Sequence, residues 1–178
     1  MSWSHLKKGR VSIQSGEYFI TFNCHNRKAL FTDHNLAKVF CRCIEINELL
    51  HQCCWLTWVL MPDHFHGLLR LSDSSLGKTV GHLKGISARE INKIRSFSQT
   101  VWQPAYYDHA LREEESRIAV ARYIAANPLR KKLVDNLGRY PYWNSVFLWL
   151  VVAINDDLRR TCFSALICIL CRHKWQPT

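Results

Sequence analysis

His64-Phe65-His66 sets two imidazoles two residues apart inside an apolar run, with Trp58 to Asp63 before it and Gly67 to Leu71 after it. Successive side chains of an extended segment alternate between faces, so the two histidines share one side of a strand while Phe65 points to the other. Two imidazoles on one surface are half of a metal site; the alternative is a half-exposed strand whose histidines have no ligand role. Farther along, Val120, Tyr123, Ile124 and Asn127 recur at spacings of three and four, which makes Tyr123 and Asn127 neighbours on one helical stripe. If that stripe packs on the surface bearing His64 and His66, a phenol, an amide oxygen and two imidazole nitrogens approach one place. Such a donor set leaves open positions on Mg2+ or Mn2+ for a phosphate oxygen. The chemistry this permits is attack by the tyrosine oxygen on a phosphodiester, leaving a covalent phosphotyrosine and a free hydroxyl. A phenol with an ordinary pKa of about 10 is a weak nucleophile, and a cation that polarises the phosphate makes the attack feasible. The competing readings are a core aromatic for Tyr123 and a helix-ending residue for Asn127 ahead of Pro128.

The elements that must position these residues follow from periodicity. Gly16 to Cys24 mixes aromatic and β-branched residues in near-alternation, a strand signal. From Asp33 a polar start leads into Leu36, Val39, Phe40, Cys43, Ile44 and Leu49, the stripe of a helix running to about His51. Cys54 to Met61 and His64 to Leu71 read as a hairpin turning at Pro62-Asp63. Leu76 to Ile94 carries a looser helical pattern, with Lys84, Arg89, Lys93 and Arg95 decorating it. Val101 to Ala110 contains a short strand. Glu113-Glu114-Glu115 opens the helix that bears Tyr123, its acidic residues favourably near the positive end, and Pro128 stops it near Asn127. The order strand, helix, strand, strand, helix, strand, helix is that of a ferredoxin-like, RRM-like α+β sandwich, an antiparallel sheet with helices mainly on one face.

The chain of 178 residues is long enough for one well-buried domain, and its formal net charge of +10 favours a polyanionic partner, nucleic acid first. Eight cysteines sit mostly within apolar stretches and read as buried thiols in a reducing compartment. No charged leader with a cleavage site opens the chain, and no apolar stretch reaches the roughly 18 residues a membrane span needs, so no membrane association is expected. The apolar runs after about Phe147 predict a helix or two on the domain. Cys168-x-x-Cys171-x-His173 is half of a zinc pattern whose other half is missing nearby, and packing is the better reading.

Three motifs in order resemble a known group. They are Met61-Pro62-Asp63-His64-Phe65-His66, then Trp102-Gln103-Pro104 with Tyr107-Asp108-His109-Ala110-Leu111-Arg112, then Tyr123-Ile124-Ala125-Ala126-Asn127-Pro128-Leu129 with Leu133-Val134. Together they resemble the REP-associated tyrosine transposases, single-tyrosine members of the HUH nuclease superfamily related to the transposases of single-stranded-DNA insertion sequences. The resemblance implies the HUH endonuclease fold over residues 1–147, with 148–178 as a tail that has no counterpart in it. It implies a bacterial, cytoplasmic, nucleoid-associated enzyme that cuts and rejoins single-stranded DNA near palindromic hairpins through a 5'-phosphotyrosine, acting as a monomer. It assigns the nucleophile to Tyr123 and the metal to His64 and His66, with Asn127 as third ligand where insertion-sequence relatives have glutamine. The group's usual glycine shortly before Leu133 is replaced by Lys132. The rival function is a domesticated relative that grips hairpin DNA or RNA without cutting it.

Basic residues cluster at three element ends: Lys7, Lys8 and Arg10 before the first strand, Arg27 and Lys28 after it, and Arg130, Lys131 and Lys132 behind the tyrosine helix. They are candidate phosphate contacts, and Trp3, Trp102, Tyr106 and Tyr107 are candidate platforms for unpaired bases. Solvated lysines and core tryptophans are the plainer alternatives.

Overall fold

The computed structural model describes residues 15–113 and 115–147. The basic N-terminal cluster of Lys7, Lys8 and Arg10, Trp3, the apolar tail and Cys168-x-x-Cys171 all lie outside the described residues.

Five antiparallel strands form one sheet in the order β4-β1-β3-β2-β5. β1 spans Glu17–Asn23, β2 Cys54–Met61, β3 His64–Arg70, β4 Tyr107–Ala110 and β5 Trp143–Ser145. The hairpin of β2 and β3 turns at Pro62-Asp63, as the turn chemistry predicts, and β3 pairs on its far side with β1 so that Thr21 faces His66. The short β5 was not foreseen. It is held by tertiary contacts rather than propensity: Thr57 and Ser145 join hydroxyls at 2.7 Å, and the buried Tyr140 hydroxyl donates to Leu60 O at 2.7 Å.

α1, His34–His51, starts where Asp33 Oδ1 accepts from the amides of Asn35 and Leu36, satisfying free helix donors. α2 spans Leu76–Arg95 and is capped by Ser75. Both cover the face bearing Ile20, Phe22, Phe65 and Leu69, where the larger core lies. Leu49, expected on the buried stripe of α1, is instead exposed, because the helical repeat carries it to the side opposite the buried Phe40, Cys43 and Asn47. Gly67 is required by close approach: a Cβ there would lie 2.6 Å from the Trp55 ring and 2.9 Å from that of Phe65.

α3, Arg117–Ala125, lies on the opposite face, so the helices are divided between both sides rather than gathered mainly on one. Val59, Met61 and Leu68 meet Ala121, Ile124 and Ala125 in a second, smaller core. α3 also starts later than the glutamates suggest. Ser116 caps it through the Ala119 amide, while Glu115 accepts from His109 Nε2 at 2.9 Å and from the Arg112 amide at 2.8 Å. Arg117, at the first helical position, pairs with Glu17 of β1 at 3.0 Å. Pro128 does not stop the chain's helical course. It occupies the start of a further short turn, α4, Asn127–Arg130, where a proline costs no hydrogen bond.

Candidate active site

His64 and His66 project from β3 toward α3, their ring centroids 4.7 Å apart and nearly perpendicular. Each ring has its Nδ1 held: His64 by Asp63 Oδ1 at 2.5 Å and His66 by the Thr21 hydroxyl at 2.7 Å, across the β1–β3 register. Holding Nδ1 fixes ring orientation and turns Nε2 to the opposite side, the arrangement that metal-binding imidazoles commonly show. Burial lowers the pKa of His64, against the pull of Asp63, and lowers that of His66 to about 3, helped by His64 and the nearby Arg27 and Arg130. Both rings are therefore neutral near pH 7, and a neutral imidazole is the form that ligates.

Asp63 is itself held. Arg27 Nε pairs with Asp63 Oδ2 at 2.9 Å, and the same guanidinium donates to Asn23 Oδ1 at 2.5 Å. Arg27 reaches this position from a left-handed backbone conformation, φ 55°. A residue expected to grip phosphate is thus engaged in orienting His64 as well.

Tyr123 comes from the outer face of α3. Its ring lies 6.5 Å from His66 and 6.1 Å from Phe19, centroid to centroid, and Phe19 in turn stacks on His66 at 5.7 Å. The phenol is 45% exposed, so it is not walled off in the core. Arg130, one turn into α4, stacks its guanidinium over the Tyr123 ring at 4.6 Å. Asn127 is buried and donates from Nδ2 to the carbonyls of Tyr123 and Ile124, at 2.9 and 3.2 Å, which leaves Oδ1 as the amide's remaining polar atom.

Among the described residues no three His, Cys, Asp or Glu side chains gather into a metal site. A divalent ion here would therefore take two imidazoles and an oxygen of another kind. The orientation and neutrality of His64 and His66 fit such an ion, and Asn127 Oδ1 is the oxygen expected from the sequence.

The other expected contacts divide. Lys131 is close enough to His64 to bear on its charge state, whereas Lys132 adopts φ 55° beside Leu129, Val134 and Asp135, and Lys28 is exposed. Trp102 is no base platform: it is buried, donating Nε1 to Ser87 Oγ and packing on Phe22 and Phe31. Tyr106 also packs against that core, and Tyr107 alone of the described candidates is exposed, at 59%. Lys84, read as a surface charge, donates to three carbonyls, those of Gln103, Pro104 and Ala105, and its burial lowers its pKa to about 8. Thr21, Phe19 and Asn23 were not singled out from the sequence. Thr21 and Asn23 pair opposite His66 and His64, and Phe19 opposite Leu68 one step along the same face, a signal that needs a strand register to be read.

The IS200-like transposase family matches residues 12–127, the span that holds both histidines, Tyr123 and Asn127. The chain belongs to this family. A REP-associated tyrosine transposase of Escherichia coli K12 is 27% identical over 146 residues, 75% of this chain and 78% of the relative. An uncharacterised protein of Haemophilus influenzae is likewise 27% identical, over 150 residues, 64% of this chain and 81% of that protein. In fold, the chain is similar to a solved REP-associated tyrosine transposase bound to a REP hairpin, with a TM-score of 0.66 at 21% identity, covering 80% of this chain and 82% of the other. The transposase therefore carries the α+β fold of that solved relative.

Proposed function

We propose that this transposase is a divalent-metal-dependent endonuclease and strand transferase for single-stranded DNA beside palindromic hairpins, with Tyr123 as nucleophile. The observation that carries the reading is an exposed phenol standing against His66 within one chain, on a surface where both imidazoles are neutral and fixed through Nδ1. In the forward step the Tyr123 oxygen forms a bond to phosphorus, the bond from phosphorus to the 3' oxygen breaks, and the strand ends become a 5'-phosphotyrosine and a 3' hydroxyl. The phenol's proton leaves to solvent and the departing 3' oxygen takes one up. His64, His66 and Asn127 would hold Mg2+ or Mn2+, which would polarise the scissile phosphate. Because the link stores the bond energy, attack by another 3' hydroxyl rejoins DNA without a nucleoside triphosphate.

Arg130 and Lys131 flank the phosphate in this reading, while Arg27, Lys28 and Lys132, with Lys7, Lys8 and Arg10, hold more distant phosphates. The domain over residues 1–147 works as a monomer in the bacterial cytoplasm, at the nucleoid. Incubation with Mn2+ and a palindromic hairpin bearing single-stranded flanks is expected to give a protein–DNA adduct that survives denaturing electrophoresis. Tyr123→Phe should abolish the adduct and keep hairpin binding. An adduct undiminished in Tyr123→Phe names the wrong nucleophile, and binding without any adduct in the unaltered chain makes it a non-cutting hairpin binder.

A further inference from the structure

Among the described residues α3 packs mainly on β2, β3 and β5; it meets β1 through Arg117 on Glu17 and Tyr123 on Phe19, and leaves Tyr107 of β4 exposed on the same face of the sheet. The β1–β4 half of this face adjoins the imidazoles directly. Tyr107, Thr21 and His66 stand opposite one another across β4, β1 and β3, so their side chains form one row. Tyr107 heads this row and is 59% exposed. Its ring meets that of Phe19 edge-on at 6.2 Å, and Phe19 meets Tyr123 edge-on at 6.1 Å, so a continuous line of aromatics joins the sheet's outer edge to the nucleophile.

Most other exposed apolar side chains of the described residues lie away from this line, on α1 and at the end of α2. The neighbouring row ends on His109, which is occupied by Glu115, and that carboxylate repels phosphate. A polyanion on this face is thus directed along the Tyr107 row, with the Arg130 guanidinium over Tyr123 at its inner end. The edge strand is firmly placed: β4 follows the loop whose three carbonyls are held by Lys84, and Gln103 N donates to Asn23 O at 2.9 Å.

We propose that the β1–β4 half of this face, from the exposed Tyr107 inward, binds the single-stranded DNA flanking the scissile phosphate, with Tyr107 as the residue on which an unpaired base stacks. The proposal rests on the strand-transferase reading and adds a specific subsite to it. Base–aromatic stacking tolerates any base, so the subsite grips the flank without reading its sequence.

The test measures binding by fluorescence anisotropy in a Tyr123→Phe background, which holds the covalent step off. Two probes are compared, a palindromic DNA hairpin with single-stranded flanks and the same hairpin trimmed of them. Tyr107→Ala is expected to weaken the flanked probe by about 5- to 100-fold and leave the trimmed one unchanged, while Tyr107→Phe, which keeps the ring, binds like its parent. One abasic position in the flank should weaken the parent and cost Tyr107→Ala nothing more. Equal loss on both probes, or no loss on either, overturns the subsite while leaving the nuclease reading intact. Failure of the parent to bind any hairpin overturns both.

Discussion

Asp63 and Thr21 would not bind the metal themselves, yet each holds a ring proposed to do so. Asp63 takes Nδ1 of His64 and is tied to Arg27, and the Thr21 hydroxyl takes Nδ1 of His66. Losing such a partner commonly costs about 10- to 100-fold in metal affinity. Asp63→Ala and Thr21→Val are therefore each expected to weaken Mn2+ binding by that order in isothermal titration calorimetry, with circular dichroism unchanged; unaltered affinity would remove these residues from the site. The same histidines couple folding to pH. In the unfolded chain His66 protonates near its ordinary 6.5, whereas in the fold it resists until about 3, so between these values the unfolded state binds more protons. Stability should accordingly fall as pH falls from about 6.5 toward 3, and His66→Asn should flatten that slope in urea titrations at pH 7 and 5. Type and spacing singled out His64, His66, Tyr123 and Asn127, and the structure sets Tyr123 beside His66. Their supporting atoms were not legible, because Thr21 becomes a partner of His66 only through a register between strands 45 residues apart.

Elements with strong local signals sit where the sequence puts them. The β2–β3 hairpin, the Asp33 cap of α1 and the body of α2 each carry their own turn or cap chemistry. The elements that were misread are those decided by tertiary partners. Three glutamates resemble a helix start, but Glu115 is drawn to His109 and to the Arg112 amide, and the first cap falls to Ser116. β5 has only three residues and exists because β2 offers it an edge. The Trp102 that resembled a base platform fills the core beside Phe22, Phe31 and Phe40. Gly67 illustrates the same dependence within β3, where the Trp55 ring occupies the space a side chain needs. Gly67→Ala forces this packed layer apart and is expected to destabilise the fold by about 1–3 kcal/mol, read as a lower midpoint in urea; a wild-type midpoint would mean that Trp55 moves aside freely. Because Gly67 adjoins His66, the variant should also lower Mn2+ affinity.

At the scale of the whole molecule, a single sheet divides the labour between its faces. α1 and α2 bury one side in the larger core, and α3 packs on the other beside the imidazoles, with Tyr123 and, on β4, Tyr107 exposed among the described residues. The net charge of +10 suits a polyanion over this surface, and no helix among the described residues is long and apolar enough to cross a membrane. The partition of helices between faces could not be read from element order, since order does not say which side a helix takes after β4. What the fold adds is that Tyr123 and His66 stand ring to ring within one chain, so the proposed site needs no second copy. Mixing Tyr123→Phe chains with His66→Ala chains tests this most directly, with the unaltered protein as positive control for the covalent DNA adduct on a denaturing gel. The account predicts that the mixture stays as inert as either variant alone; an adduct restored by mixing would mean that the tyrosine of one chain serves the histidines of another, and the self-contained site would be wrong.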